Sequence, residues 1–380
     1  MALVKNETFY TYRDITIVPS IISDIEHREE CNPLDENGML PLFTAPMDTV
    51  ADEKNFELFT NEMIYAILPR TVNIKTRVEF STKSRWAAYS LKEFESIFCD
   101  EKNKLSEENK IHVLIDVANG HMRKIFDLVR ASRNIYGDNI VLMVGNIANP
   151  ETYRAYADIG VDYVRCGIGS GFGCLSTSNT GTHMPMASLI DKIAFIKRKY
   201  GNGDGFGNKP KKMPKIVADG GIRNYSDAIK ALALGADYVM VGSVFSKMLE
   251  SAAVKTCNSE EWYKLPIEVG LNDLTNINKR NNAWYGTYNG KEIFLGDIKA
   301  TFYGMASREG QIALSGSKTK TSEGIKKTLS VDYTMHGWCE NFRDYLRSAM
   351  SYVGVRTIDE FKEMTTTIVN SPNAIDAVNK

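Results

Sequence analysis

The chain has 380 residues, 43% of them hydrophobic and 24% charged, and its 46 basic side chains against 47 acidic ones leave a formal net charge of −1. This composition suits a globular protein with enough apolar material for a large core. It excludes the strongly basic surface expected of a protein that coats nucleic-acid polymers or anionic membranes, while a phosphate-bearing small substrate needs only a local set of amides.

Six cysteines, Cys31, Cys99, Cys166, Cys174, Cys257 and Cys339, are scattered without a C-x-x-C pair, which argues against a zinc site and against a disulfide framework. A reducing, cytoplasmic compartment is the expectation, with one of these thiols free to act as a nucleophile. The first residues lack the apolar core of a signal peptide, and no apolar run is long enough to span a bilayer.

In chain order, apolar strand candidates lie at 40–48, 63–70, 85–91, 111–120, 139–147, 161–169, 215–221 and 236–244. Most are followed by a stretch of helical periodicity, such as 151–160 and 224–235. In the second, Ala228, Ala231, Leu232 and Leu234 form an apolar stripe, Asn224 or Ser226 could cap the start, and Gly235 could end it. Near-continuous apolar strands separated by helices indicate a parallel sheet covered by helices, and eight such units favour closure into a (β/α)8 TIM barrel over an open sheet. Two regions break the repeat. Residues 171–186 are a Gly/Ser/Thr-rich loop, and residues 251–330 are an Asn-, Lys- and Gly-rich excursion of the kind that serves as a flap or insertion. The whole chain, 1–380, reads as a single barrel domain without room for a tandem regulatory domain.

Barrel active sites form at the C-terminal ends of the strands. Those ends read Met47-Asp48, Asp116 to Gly120, Gly145-Asn146, Gly167 to Cys174, Asp219-Gly220-Gly221 and Gly242-Ser243. Taken singly, each glycine could merely turn the chain into the next helix. Together they gather small and polar residues at one end of the barrel. Asp219-Gly220-Gly221 and Gly242-Ser243 each precede a helix, where amides and the helix dipole favour a phosphate. The run Gly169-Ser170-Gly171-Phe172-Gly173-Cys174 puts a thiol on a glycine-rich loop whose amides could stabilise a thiolate. Cys166, inside an apolar strand, reads as inert core.

The segments APMDTV (45–50), GIGSGFGC (167–174), ADGGI (218–222), VGS (241–243) and FYGMAS (302–307) resemble, in order, the motifs of IMP dehydrogenases and GMP reductases. The resemblance covers roughly residues 10–250 and 295–360. It implies that Cys174 forms a covalent adduct at purine C2 of a nucleoside monophosphate. Asp219 would hold the ribose, Gly220, Gly221, Gly242, Ser243, Tyr303, Gly304 and Met305 would surround the nucleotide, and Met47 would pack against its base. It also implies a nicotinamide cofactor beside Asp116, Ala118, Asn119 and Gly167, and a monovalent cation such as K+ on the carbonyls of Gly169, Gly171 and Cys174. A homotetramer is implied as well.

Between the two reactions, the residues point to the reductase. The flap sequence SGSKTKTSEGIKK (315–327) lacks the Arg-Tyr pair with which dehydrogenases activate water. Ser322-Glu323-Gly324 is similar to the reductase element whose glutamate assists departure of ammonia, and DVANG (116–120) resembles the reductase strand end. The reading is therefore an NADPH-dependent GMP reductase with Cys174, Ser176, Thr177 and Glu323 as its catalytic set. Ser176 is a departure, because both families carry threonine two residues after the cysteine. An NAD-dependent IMP dehydrogenase and a non-catalytic purine-nucleotide-binding barrel are the alternatives. The segment 251–294 is longer than the family usually has, and its aromatics Trp262, Tyr263, Trp284 and Tyr285 could cover the site or anchor the insertion. That extra length leaves room for a modified purine nucleotide as substrate.

Overall fold

A computed structural model describes residues 7–106, 108–201, 212–257, 267–268, 274–281, 283–317, 321–371 and 374. The first strand, β1 (Ile15–Val18), lies outside the barrel. The barrel strands are β2 (Leu42–Thr44), β3 (Ile67–Leu68), β4 (Trp86–Tyr89), β5 (Ile111–Asp116), β6 (Ile140–Ile147), β7 (Tyr163–Cys166), β8 (Lys215–Asp219) and β9 (Tyr238–Val241), each inside one of the eight predicted segments. All neighbours pair in parallel, in the order β2-β9-β8-β7-β6-β5-β4-β3. The ring closes where Tyr65, just before β3, bridges Phe43, with Thr44 N donating to Tyr65 O at 2.9 Å and Tyr65 N to Leu42 O at 3.0 Å. The fold is a (β/α)8 barrel.

The apolar runs arise because each strand buries both faces. Phe43, Ile67, Trp86, Leu114, Met143, Val217, Tyr238 and Met240 fill the lumen. Leu42, Leu68, Ala87, Val113, Leu142, Val164 and Ile216 face the surrounding helices. Of the predicted helices, the one at 224–235 forms over Tyr225–Ala233, with Asn224 Oδ1 accepting from Asp227 N at 2.9 Å and Gly235 turning away at φ +101°. The helix Met335–Val353 presents Trp338, Phe342, Leu346 and Met350 to the barrel. Thr334 caps its start, and Gly354, in the left-handed region at φ +79°, ends it. No helix among the described residues is long and apolar enough to cross a membrane.

The excursion after β9 is built from strands. β10 (Lys255–Cys257), β11 (Ile267–Glu268), β15 (Ile298–Tyr303) and β16 (Lys326–Ser330) make one antiparallel sheet, and β12 (Leu274–Arg280), β13 (Ala283–Tyr288) and β14 (Lys291–Phe294) make another. Leu249, Cys257, Leu274, Ile293, Leu295, Ile298 and Val331 give it a small core. Trp284 anchors it: a Cβ on Gly337 would come within 2.5 Å of the Trp284 ring, so only a glycine lets the helix Met335–Val353 approach so closely. Tyr285 instead packs at a tilt against Phe294, ring centroids 5.7 Å apart. Trp262 and Tyr263 lie outside the described residues. At the root of the insertion the buried Lys255 ammonium donates to the carbonyls of Ser251 and Ala253. Desolvation lowers its pKa to about 8, although Glu250 and Asp52 act in the other direction. Finally β17 (Thr366–Val369) pairs antiparallel with β1.

Candidate active site

A cavity opens at the C-terminal end of the barrel, and Met47, Asp116, Asp219, Gly242, Cys174 and Glu323 all line it. The loop after β7 carries Cys174 into this cavity, half-buried, and turns at once into a short helix, Ser176–Thr180, where the sequence suggested only loop. The flap closes on it from the other side. Leu175 N donates to Glu323 O at 2.8 Å, Ile325 N donates to Gly173 O at 3.0 Å, and Cys174 bridges Gly324 in antiparallel fashion. These contacts place side chains as well as backbone. The Cys174 thiol lies 3.4 Å from Ser176 Oγ, which in turn donates to Glu323 Oε2 at 2.8 Å. A thiol, a hydroxyl and a carboxylate thus form a continuous chain at the cavity wall.

Glycine is required where the loop is tightest. A Cβ on Gly173 would meet the Phe302 ring at 2.8 Å, and one on Gly169, at φ +76°, would overlap Thr177 Oγ1 at 1.8 Å. That second contact explains why Thr177 lies behind the loop and does not line the cavity. Cys166 is fully buried in β7, and desolvation pushes its thiol pKa up.

The cavity floor is a charge network. Arg165 Nη1 bonds Asp116 Oδ1 at 2.6 Å and its Nε bonds Asp219 Oδ2 at 2.9 Å, while Arg70 Nε stands 3.1 Å from Asp116 Oδ2. Asn146 Nδ2 donates to Asp219 Oδ2 at 2.6 Å and to Gly167 O at 2.7 Å. Burial alone would lower the Arg165 pKa, but the two carboxylates outweigh it and hold it above the ordinary value. The sequence reading passed over Arg165. A usable signal was present: one guanidinium in an otherwise apolar, two-face-buried strand requires anionic partners.

The structure gives the other expected residues the following surroundings. The Gly221 amide, expected to face a phosphate, donates to Ser170 O at 2.9 Å. Tyr303 donates its hydroxyl to Asp48 Oδ2 at 2.7 Å and does not line the cavity. Burial raises the Asp48 pKa, against the Tyr303 bond, and its Oδ1 is buried with no partner among the described residues. Asn119 is exposed and outside the lining, its Oδ1 accepting from His121 N at 3.0 Å. Met47, Gly220, Gly221, Gly242, Ser243, Gly304, Met305, Ala118 and Gly167 all line the cavity. Gly171 O accepts from Cys174 N at 3.0 Å, closing the loop on itself.

Comparison with known proteins bears on this arrangement. The profile of the IMP dehydrogenase / GMP reductase domain matches residues 9–377. A GMP reductase of Staphylococcus epidermidis is 26% identical over 347 residues, covering 86% of this chain and 96% of that protein. A GMP reductase of Staphylococcus aureus is 28% identical over 257 residues, covering 64% of this chain and 72% of its own length. An inosine-5'-monophosphate dehydrogenase of Chlorobaculum tepidum is 31% identical over 255 residues, 67% of this chain but only 44% of that longer relative. With the profile spanning nearly the whole barrel and its flap, the chain belongs to the IMP dehydrogenase / GMP reductase family.

Proposed function

We propose that the protein is a GMP reductase, which converts GMP to IMP and ammonia. The observation that carries this reading is the chain Cys174–Ser176–Glu323, with the flap carboxylate 2.8 Å from the hydroxyl that stands beside the thiol. In the proposed sequence, the Cys174 thiolate attacks purine C2 and forms the C–S bond. Glu323, through Ser176, delivers a proton to the 2-amino group, and the C–N bond breaks with loss of ammonia. Hydride addition at C2 is followed by rupture of the C–S bond, which returns the electron pair to Cys174 and releases IMP.

The nicotinamide dinucleotide, taken here as NADPH, supplies that hydride when bound. The site fits such a group: Asp116, Ala118 and Gly167 leave a wall of small side chains around a fixed carboxylate, and Ser170 Oγ is a buried polar atom without a partner among the described residues. Within the substrate half, Asp219 has one carboxylate oxygen committed to Arg165 and Asn146, leaving the other for ribose hydroxyls. Gly242 and Ser243 supply the turn that would seat the phosphate, and Met47, whose sulfur would lie 3.5 Å from a Cβ on Gly242, flanks the base position. The second lone pair of each carbonyl of Gly169, Gly171 and Cys174 suits a monovalent cation, which would stiffen the loop. In this proposal the protein works as a cytoplasmic homotetramer.

Against the dehydrogenase reading stands the flap itself, which offers a glutamate to the thiol's neighbour and has no arginine between residues 315 and 327. The experiment is a side-by-side assay of GMP with NADPH and of IMP with NAD, followed at the nicotinamide absorbance. Turnover of the first pair is expected. Turnover of the second alone would establish the dehydrogenase, and nucleotide binding without either reaction would establish a binding protein.

A further inference from the structure

The charge network on the cavity floor crosses four neighbouring strands. β5, β6, β7 and β8 lie side by side, and their register sets Asp116 opposite Gly145, Gly145 opposite Arg165, and Arg165 opposite Val217, two residues before Asp219. Asp219 is therefore on the strand next to Arg165, while Asp116 is two strands away, across β6. The crossing is open because residue 145 is glycine: a Cβ there would come within 2.5 Å of Arg165 Cβ. Over it Arg165 Nη1 reaches Asp116 Oδ1 at 2.6 Å, while Nε holds Asp219 Oδ2 at 2.9 Å.

One guanidinium thus grips two carboxylates that the proposed function gives to different ligands, Asp219 to the ribose of the nucleotide and Asp116 to the dinucleotide. Arg70 Nε stands 3.1 Å from the other oxygen of Asp116, and Asn146 Nδ2 supports Asp219 Oδ2 at 2.6 Å. Two guanidinium groups against two carboxylates leave the network without net charge, which makes it a frame and not an ion site. Buried ion pairs add little net stability over apolar packing of the same volume. Their use here is geometric. A guanidinium is a rigid planar fork, so Arg165 cannot follow one carboxylate without changing its bond to the other. Its side chain is only 10% exposed, and little water is at hand to absorb such a change.

We propose that Arg165 is a positioning residue that couples the two ligands: through it, a nucleotide at Asp219 and a dinucleotide at Asp116 raise each other's affinity. A ligand that orders one carboxylate also orders the guanidinium plane, so the second ligand meets a carboxylate already in place. The inference rests on the proposed function in assigning those ligands to those carboxylates.

The test uses IMP and NADPH, which form a complex without reacting because IMP already carries hydrogen at C2. Calorimetry on the full-length protein gives the IMP affinity with and without saturating NADPH. In wild type NADPH should tighten IMP binding about fivefold or more, and IMP should tighten NADPH by the same factor. Arg165→Lys keeps the charge but loses the fork, and the ratio should fall to within about twofold of one. A ratio taken within one protein is insensitive to a uniform loss of affinity or to a smaller folded fraction, so structural damage alone would not move it. Asp116→Asn, of the same size, removes the far grip and should lose the ratio too; it decides the matter if the lysine variant does not fold. A wild-type ratio near one overturns the proposal, as does a ratio of wild-type size in Arg165→Lys. Asn146 is the rival link, since its Nδ2 also donates to Gly167 O at 2.7 Å in the dinucleotide half. Coupling lost in Asn146→Ala but kept in Arg165→Lys would assign it to the amide instead. Wild-type protein that binds neither ligand would sink the reading of the site and the coupling together, whereas binding of both without mutual effect would sink the coupling alone.

Discussion

At the N-terminal end of the barrel, the rings of Tyr65, Trp86, Tyr163 and Tyr238 crowd around Phe43 with centroids 4.9, 5.6, 6.0 and 5.1 Å away. Two of their hydroxyls share one carboxylate, since Tyr65 and Tyr238 both donate to Asp35 Oδ2, at 2.6 and 2.9 Å. At the C-terminal end of the same strands the lumen holds Arg165 between two carboxylates, small residues, and a thiol reached by a mobile-type loop sequence. One end packs its rings together inside the lumen. The other opens as a cavity, with Asp48 Oδ1 and Ser170 Oγ buried there without a hydrogen-bond partner among the described residues. The lesson is that the strands carry two separable properties, stability below and chemistry above.

Substitutions should separate them. Cys174→Ala should lower turnover by about 10⁴-fold or more while nucleotide affinity, read by calorimetry, persists. Residual turnover near wild type would show that the thiol is not the nucleophile. Glu323→Gln and Ser176→Ala should each reduce kcat by roughly 10²–10⁴-fold, and Ser176→Thr should restore it. If Ser176→Ala leaves kcat untouched, the hydroxyl link is idle. At the opposite end, Phe43→Ala should cost about 3–5 kcal/mol in denaturant unfolding, with KM of the remaining folded enzyme unchanged. A large KM change there would mean that the two ends are not independent.

Smaller effects sharpen the same division. Lys255 holds the root of the insertion, and its folded pKa of about 8 lies below the ordinary 10.5. Between those values the unfolded chain keeps a proton that the folded one has released. Stability through this group therefore rises with pH in that window, by at most about 1.4 kcal/mol per pH unit. Lys255→Met should flatten the rise in unfolding free energy between pH 8 and 10.5, and an unchanged slope would contradict the burial argument. The smallest effect concerns the flap's outer edge, where Lys327 Nζ stands 3.8 Å over the Phe172 ring and Phe172 lies 5.9 Å from Phe302. An exposed cation–π contact contributes about 0.5–1 kcal/mol, so Lys327→Met should speed Cys174 alkylation about two- to fivefold, with Lys327→Arg close to wild type.

Legibility followed the reach of each interaction. The eight strands were readable because two-sided burial writes a local apolar run, and the helix caps Asn224 and Gly235 because capping is settled within a few residues. The glycine-rich loop announced itself for the same reason, since only glycine tolerates Thr177 against residue 169. Arg165 was overlooked because its partners, Asp116 and Asp219, stand 49 and 54 residues away on other strands. The partners of the Tyr303 hydroxyl and the Gly221 amide were equally out of reach. Tyr303 meets Asp48 across 255 positions, and the Gly221 amide finds Ser170 across a turn of the barrel mouth.

The amino-acid order alone therefore determined the barrel, the end at which it opens, and the small and polar residues that gather there, because periodicity, backbone freedom and strand-end chemistry are local properties. Only the tertiary structure decided which of those residues touch. Ring closure and flap docking bring Glu323 to Ser176 and Arg165 between its carboxylates. Hydrogen bonds of about 3 Å depend on where distant strands end, and no local pattern records that.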